Sequence, residues 1–400
     1  MAGAARRTFA VPDGTAMAGY MAREGASVGT LDALTVGCLT LAAGSDMFVL
    51  LAVDLVGVDH ALVRQIAERA GIQAASLAVC ASHTHGGPAG VVASLHPGRI
   101  DRLNAELVEC VVSASVETIR ESIAHQRGAT VELSNSIVSG VAANRLHPDG
   151  PFDPVATSLN VQGLDGSTIA AVVHFACHPT ILPAANRMIS ADFPGSLRRN
   201  LENDECGVVL FVNGAAGDIS TRFTRMSQDA NEVERVGSGI ADAVRNPFVR
   251  HQLEPTIRCE QLVLNVRPRT PEESARLANV AMDVASANEA DDRREVTRRQ
   301  GLMINEMMST STRPDSIELH VGIWNLGDLT LIGFPGELFA SLGKSVVNPD
   351  GHCLVLGYTN GYAGYFPDRA AYEQGSYEAL SSPYAWEAVD RVMSEIRSQM

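Results

Sequence analysis

The sequence predicts an α/β fold: a single large domain over residues 1–400, with mixed β-sheets flanked by helices and the active site at strand ends. Three observations predict it. Apolar strand-like runs and helical-period stretches alternate along the whole length, as in layered α/β proteins. No internal repeat and no low-complexity linker separates one half from the other. Five apolar runs end in turns that carry His, His, Asp/Ser, Glu and Tyr. Sites in α/β proteins gather at the ends of strands in this way.

The elements follow in order. Residues 1–30 are rich in glycine and alanine and are expected to wrap the surface. Residues 35–41 and 47–58 read as strands around the turn Ala43-Gly44-Ser45-Asp46. Residues 60–70 have a 3.6-residue apolar period and a glycine stop at Gly71, so they read as a helix. A strand over 72–80, an amphipathic helix over 101–120 and a strand over 131–137 come next. Asn144-Arg145 and a proline-rich loop over 148–154 follow. Strands 157–161 and 168–175 form a hairpin through Gly163-Leu164-Asp165-Gly166. Residues 193–202 and 231–245 read as helices, with a strand over 208–212 between them. The segment 271–308 is rich in Glu, Arg, Ala and Asn. It is expected as one or two exposed helices inserted in the domain, with a solvated charged face. Strands over 316–325, 329–334 and 354–357 and a terminal helix over 384–400 complete the chain.

The composition narrows the function. A hydrophobic content of 46% and a charged content of 19% suit a folded enzyme. The net charge of −15 argues against nucleic acid as a partner, since phosphate binding needs a basic surface. It argues equally against docking by charge on anionic lipid. The apolar run 47–58 is broken by Asp54 and is too short to span a bilayer. No h-region follows Arg6-Arg7. Cys38, Cys80, Cys110, Cys177, Cys206, Cys259 and Cys353 are scattered, odd in number and without a CxxC pair. They read as free thiols in a reducing compartment. The expected location is cytoplasmic, without a stable membrane anchor. The sequence carries no signal of oligomeric state.

The densest cluster of reactive side chains is Ser82-His83-Thr84-His85-Gly86-Gly87-Pro88, after the apolar run 77–81. Imidazoles at i and i+2 share one side of an extended chain, and the Gly-Gly-Pro opens space beside them. That suits a metal or a proton-transfer site, with a purely structural pair as the alternative. His178, before Pro179, is either a ligand or a strand cap. Cys177 faces the other way on an extended chain, which argues against a thiol nucleophile. Ser220, in Asn213-Gly214-Ala215-Ala216-Gly217-Asp218-Ile219-Ser220, is either reactive or an N-cap with Asp218. Glu337, after Pro335-Gly336, is either a ligand or a carboxylate at a helix N-terminus. Arg145 belongs to the site or to a surface ion pair. Asp54 and Asp192 are expected to support histidines or turns. His174, Tyr358 and Tyr372 read as packing residues.

Taken together these blocks resemble the N-terminal catalytic domain of the neutral, non-lysosomal ceramidases. The matching segments are Ser82 to Pro88, Ala143-Asn144-Arg145, Phe175 to Thr180 with Ile189-Ser190-Ala191-Asp192, and Asn213 to Ser220. Pro335-Gly336-Glu337, Asn360-Gly361-Tyr362-Ala363-Gly364-Tyr365, Tyr372 and Tyr377-Glu378 complete them. The resemblance implies zinc held by His83, His178, Glu337 and a tyrosine of 360–365, with Tyr365 favoured over Tyr362. It implies His85 as the catalytic histidine, Arg145 and Tyr377 at the scissile carbonyl, and Ser220 as the nucleophile assigned in the family. Three departures stand out. The chain ends soon after the tyrosine segment, without the family's C-terminal β-sandwich. It shows no secretion signal. Ala191-Asp192-Phe193-Pro194 replaces the usual Gly-Asp-Asn after Ser190.

Two imidazoles and a carboxylate hold zinc with an open position for water, whose pKa then falls to roughly 7. Zinc, Arg145 and a tyrosine hydroxyl suit an oxyanion, and His85 suits protonation of a leaving amine. The expected function is a zinc-dependent amidohydrolase acting on an N-acylated small molecule or lipid. A zinc-dependent esterase or deacetylase is one alternative. A non-catalytic metal-dependent binding protein on the same scaffold is the other. The first two departures favour a soluble or semi-soluble acylated amine over membrane ceramide. Its acyl pocket is expected between the loop 148–154 and the segment 360–377, with Phe152, Phe366 and Tyr372 lining it.

Overall fold

The computed structural model describes residues 1–93, 102–202, 207–287, 292–312, 314–346 and 352–400. Asp101 of the expected helix 101–120, Cys206, and the middle of the expected helical segment 271–308 lie outside the described residues.

Three sheets carry the fold, and it is of the mixed α/β class that the sequence predicts. The first has Ala2–Thr8, Thr35–Ala43, Asp46–Val53 and Leu77–Ala81 in that order. The second runs Val208–Asn213, Thr168–Phe175, Val155–Gly163, Ala129–Ile137 and Val249–Gln252. The third runs Ile257–Val266, Ile317–Leu326, Leu329–Gly333 and His352–Leu356. Most neighbours are antiparallel. Each sheet has one parallel pair at an edge: Asp46–Val53 with Leu77–Ala81, Thr168–Phe175 with Val208–Asn213, and Leu329–Gly333 with His352–Leu356. A parallel pair needs a crossover, commonly helical, and His60–Ala70 and Phe193–Leu201 lie in two of them. Both strands of such a pair end on the same side. The segments after Ala81, Phe175, Asn213, Gly333 and Leu356 therefore leave the sheets where they can meet.

The sheets pack on one another through Leu39, Phe48 and Leu50 of the first, Leu159, Val172 and Leu210 of the second, and Trp324, Leu331 and Leu356 of the third. Alternate residues of the first two sheets, Val36, Val49, Leu51, Phe175 and Phe211, face the helices Ala105–Ala124, Phe193–Leu201 and Ala230–Arg245. Strand Asp46–Val53 is buried on both faces, which is why it reads as an unbroken apolar run. The third sheet packs Leu319, Ile332 and Val355 against Leu380, Val389 and Met393 of the C-terminal helices. Among the described residues no helix is long and apolar enough to cross a membrane.

Local chemistry sets the element ends. Helix His60–Ala70 is capped by Asp59, whose Oδ1 accepts from Leu62 N at 2.8 Å, and stops at Gly71. The strand expected over 47–58 ends at Val53. There Thr35 and Arg198 bind the Asp54 carboxylate, and Leu55 and Val56 turn their carbonyls to His83. Residues 1–30 do more than wrap the surface. Ala2–Thr8 is an edge strand, and Gly19 and Tyr20 reach the site. Two strands without a clear sequence signal, Val249–Gln252 and Ile257–Val266, are both sheet edges. Edge strands keep charged side chains outward, which hides their apolar face. The segment 271–308 forms Pro271–Ala287 and Asp292–Thr310. These helices bury Leu277, Ala281, Ile304 and Met308, so they do not stand free of the body. Buried Arg269 ties them down by donating to Asn305 Oδ1 at 2.7 Å and to the Ala379 and Leu380 carbonyls.

Candidate metal centre and active site

The strand Leu77–Ala81 delivers His83, but not by extended alternation. His83 has φ 66°, so the i, i+2 argument for pairing it with His85 does not hold. The left-handed turn instead brings the two rings edge to face, with Nε2 to Nε2 at 3.4 Å. His83 Nδ1 donates to Val56 O at 2.6 Å. His178 follows the strand Thr168–Phe175. Its Nδ1 donates to Ala216 O at 2.6 Å and Ile219 O at 3.1 Å. These carbonyls fix both tautomers. Asn213 locks the two histidine segments together: its Nδ2 donates to Ser82 O and Cys177 O, and its Oδ1 accepts from Cys177 N.

Glu337 comes from Glu337–Leu338, which pairs in parallel with Tyr365–Phe366. It sits ahead of the short helix Ala340–Ser345, whose N-cap is Phe339, so it does not serve as that helix's N-terminal carboxylate. Its Oε2 lies 2.9 Å from His178 Nε2 and 3.5 Å from His83 Nε2, all three side chains being buried. Tyr362 OH donates to the other oxygen, Oε1, at 2.5 Å. Burial, aided by the Arg145 charge, pushes His178 down to about 4. Burial opposes ionisation of Glu337, but His83 and His178 outweigh it and hold the carboxyl well below its ordinary range.

This arrangement fits a divalent metal ion. Each Nδ1 carries its proton toward a carbonyl, so each ring in its neutral form presents a bare Nε2. Two bare nitrogens and a carboxylate oxygen then face one another in a buried space. Three acceptors so placed call for a cation between them, and burial resists supplying it as an imidazolium at His178. His83, His85 and His178 also bring their ring nitrogens within 4.8 Å of one another.

His85 borders a small cavity of about 40 Å³ with His83, Glu337, Tyr362, Tyr365 and Tyr377. Among the described residues its Nδ1 has no hydrogen-bond partner. Burial, reinforced by His83 and His178, pushes its imidazole well below the ordinary histidine range. Tyr20 meets its ring edge to face at 4.8 Å. Gly19 has φ +95°, and a Cβ there would come within 2.4 Å of the ring, so only glycine fits. Tyr365 OH accepts from Arg145 NH2 at 3.1 Å, and Arg145 Nε donates to Glu378 at 2.8 Å. Arg145 thus stands behind Tyr365, outside the residues that line the cavity. Burial pushes the Tyr377 phenol up to about 12, which keeps it a proton donor.

The remaining expected residues lie around this centre. Ser220 pairs with Ala143 and bridges the backbone of His178; its Oγ accepts from Arg222 N at 3.2 Å, and it does not line the cavity. Asp192 accepts from Ile181 and Leu182 N, holding the loop after His178. His174 contacts Val355 O at 2.8 Å, within the sheets. Tyr358 does more than pack: its ring stacks on His83 at 3.9 Å. Phe152, Phe366 and Tyr372 line neither cavity described here. Phe366 is fully buried in the core, because it alternates with the site-facing Tyr365. The loop 148–154 does not line these cavities either.

Four non-glycine residues among those described have positive φ: His83, Asp192, Tyr358 and Asn360. All four hold the centre or its loops. Such strain costs about 1–3 kcal/mol per residue and gathers where function fixes the backbone.

Fold and site together define an α/β protein with a buried His-His-Glu centre beside a histidine and three tyrosines. No family model and no curated protein matches the sequence. Among solved structures, neutral ceramidase from Pseudomonas aeruginosa aligns with a TM-score of 0.77 at 16% identity, over 99% of this chain and 73% of its own. A ceramidase complexed with C2 aligns with a TM-score of 0.76 at 16% identity, over 99% and 74%. The chain has the fold of the neutral ceramidases.

Proposed function

We propose that this protein is a zinc-dependent amidohydrolase that cleaves the amide bond of an N-acylated small molecule or lipid. The observation that carries the reading is the convergence of His83 Nε2, His178 Nε2 and Glu337 Oε2 beside His85, whose Nδ1 is unpartnered among the described residues. His83, His178 and Glu337 would hold the zinc, which would supply Lewis acidity and lower the pKa of a water to roughly 7. The neutral His85 takes a proton as water adds to the carbonyl carbon. It delivers that proton to the nitrogen as the C–N bond breaks. Tyr377, protonated and lining the cavity, donates to the developing oxyanion. Arg145 adds positive charge through Tyr365. Ser220 positions the His178 backbone instead of attacking the substrate.

Tyr365 is the tyrosine donor of the centre in this reading. Tyr362 OH donates to Glu337, whereas the Tyr365 oxygen accepts from Arg145, whose charge offsets part of the rise that burial and Glu337 impose on that phenol. Tyr365→Phe is expected to lower zinc affinity by about 10-fold or more, and Tyr362→Phe by less. The reverse order would transfer the role to Tyr362.

A larger cavity of about 330 Å³ shares Tyr362 and Gly364 with the first and is lined by Met308, Ile317, Leu319 and Ala363. It is the acyl pocket in this reading. The test is amine release from N-acyl amines graded from acetyl to palmitoyl, without micelles. kcat/KM should rise roughly fourfold per methylene, at about 0.8 kcal/mol each, and then level off. No release from any member would reject the amidase reading. Cleavage confined to the longest chains in vesicles would make the substrate a membrane lipid.

A further inference from the structure

A second cluster of metal-binding side chains lies away from this centre. His251 is on the edge strand Val249–Gln252 of the five-stranded sheet. His352 opens the strand His352–Leu356, and Asp328 sits in the turn before Leu329–Gly333. The active-site segments leave the far ends of those last two strands. His251 Nε2 is 2.8 Å from Asp328 Oδ2, and His352 Nε2 is 3.9 Å from the same oxygen. The two rings lie 4.8 Å apart, and one donor atom from each residue falls within 4.8 Å of the others.

We propose that His251, Asp328 and His352 form a second divalent-metal site, of zinc-type donor chemistry, that clasps the five-stranded sheet to the neighbouring four-stranded one. An ion pair with Asp328 accounts for one imidazole. It does not account for two imidazoles from different sheets converging on one carboxylate oxygen. Two nitrogens and one oxygen are a common zinc donor set, and small side-chain rotations bring them to bonding distance.

The backbone under each donor is fixed. His251 is in register with Leu133, and His352 with Leu329. Asp328 occupies a two-residue hairpin turn, since Leu326 pairs directly with Leu329. Gly327 makes that turn with φ +64°, and a Cβ there would lie 2.8 Å from the backbone of Glu254. The glycine thus lets the turn sit directly against the chain that leaves the His251 strand. Donors on rigid elements make a site with little ordering cost. The side chains are 40%, 51% and 35% exposed, so water completes the coordination and binding is reversible.

The experiment is calorimetric titration of the full chain with zinc, comparing wild type with His251→Ala and Asp328→Asn. Each variant should bind one equivalent fewer than wild type, with unchanged amine release. Zinc should also raise the thermal midpoint of wild type more than that of either variant, because a ligand bound only by the folded state stabilises it. The readout is a difference of one equivalent, so it stands whether or not the His83 centre holds metal. Equal stoichiometry in wild type and both folded variants would overturn the proposal.

Discussion

His85→Ala is expected to lower amine release by about 10²-fold or more while zinc content stays at the wild-type level. A general acid–base group contributes roughly 10²–10⁴ to rate, and His85 is the cavity-lining imidazole whose Nδ1 is free of partners. His83 and His178 each anchor Nδ1 on a backbone carbonyl and so cannot turn to shuttle a proton. His85 is held instead by packing, between Gly19 and Tyr20. Its loss therefore leaves the His-His-Glu cluster intact. The check is kcat beside elemental analysis of the same preparation. A near-normal rate would remove His85 from the mechanism, and joint loss of zinc and rate would make it a ligand.

The second large effect is on stability. Asp54→Ala should destabilise the fold by about 3–5 kcal/mol, the cost of breaking a buried ion pair from one side. Arg198 donates to both Asp54 oxygens, at 2.9 and 2.6 Å, and both residues are buried. Thr35 adds its backbone N–H and its hydroxyl. Alanine would leave the guanidinium unpaired among apolar neighbours. The same change loosens Val56, two residues on, whose carbonyl orients His83, so zinc affinity should fall about 10–100-fold as well. Denaturant unfolding reads the first effect. The double variant Asp54→Leu with Arg198→Met should recover much of the lost stability, because it removes both charges together. A single variant within about 1 kcal/mol of wild type would contradict this account.

The sequence announces the parts of the site that are local and carried by side chains. His83, His85, His178 and Glu337 each follow an apolar run that ends in a glycine or proline turn, and the parallel sheet edges bring those turns together. The supports are a different matter. The carbonyls of Val56 and Ala216, which set both tautomers, are backbone atoms without a compositional signature. Gly19 and Tyr20 reach His85 from a glycine-rich stretch that has no apolar period. Ile304 reaches the cavity from a helix whose charged residues suggest full exposure. The left-handed φ of His83 answers to its hydrogen bonds with residues 55 and 56, so period-two reasoning places the ring wrongly. Phe152, Phe366 and Tyr372 show the converse limit. Aromatic character near a motif does not reveal which side of the chain faces the cavity.

In the proposed reading the buried His83, His178 and Glu337 cluster holds the zinc that makes this chain an amidohydrolase. Its most direct test is amine release from an N-acyl amine by metal-free protein, measured as zinc is titrated back in the His251→Ala variant. Activity should be absent without metal and should rise linearly to a plateau at one equivalent. A full rate in the metal-free protein, or one equivalent bound with no amine released, would contradict the account.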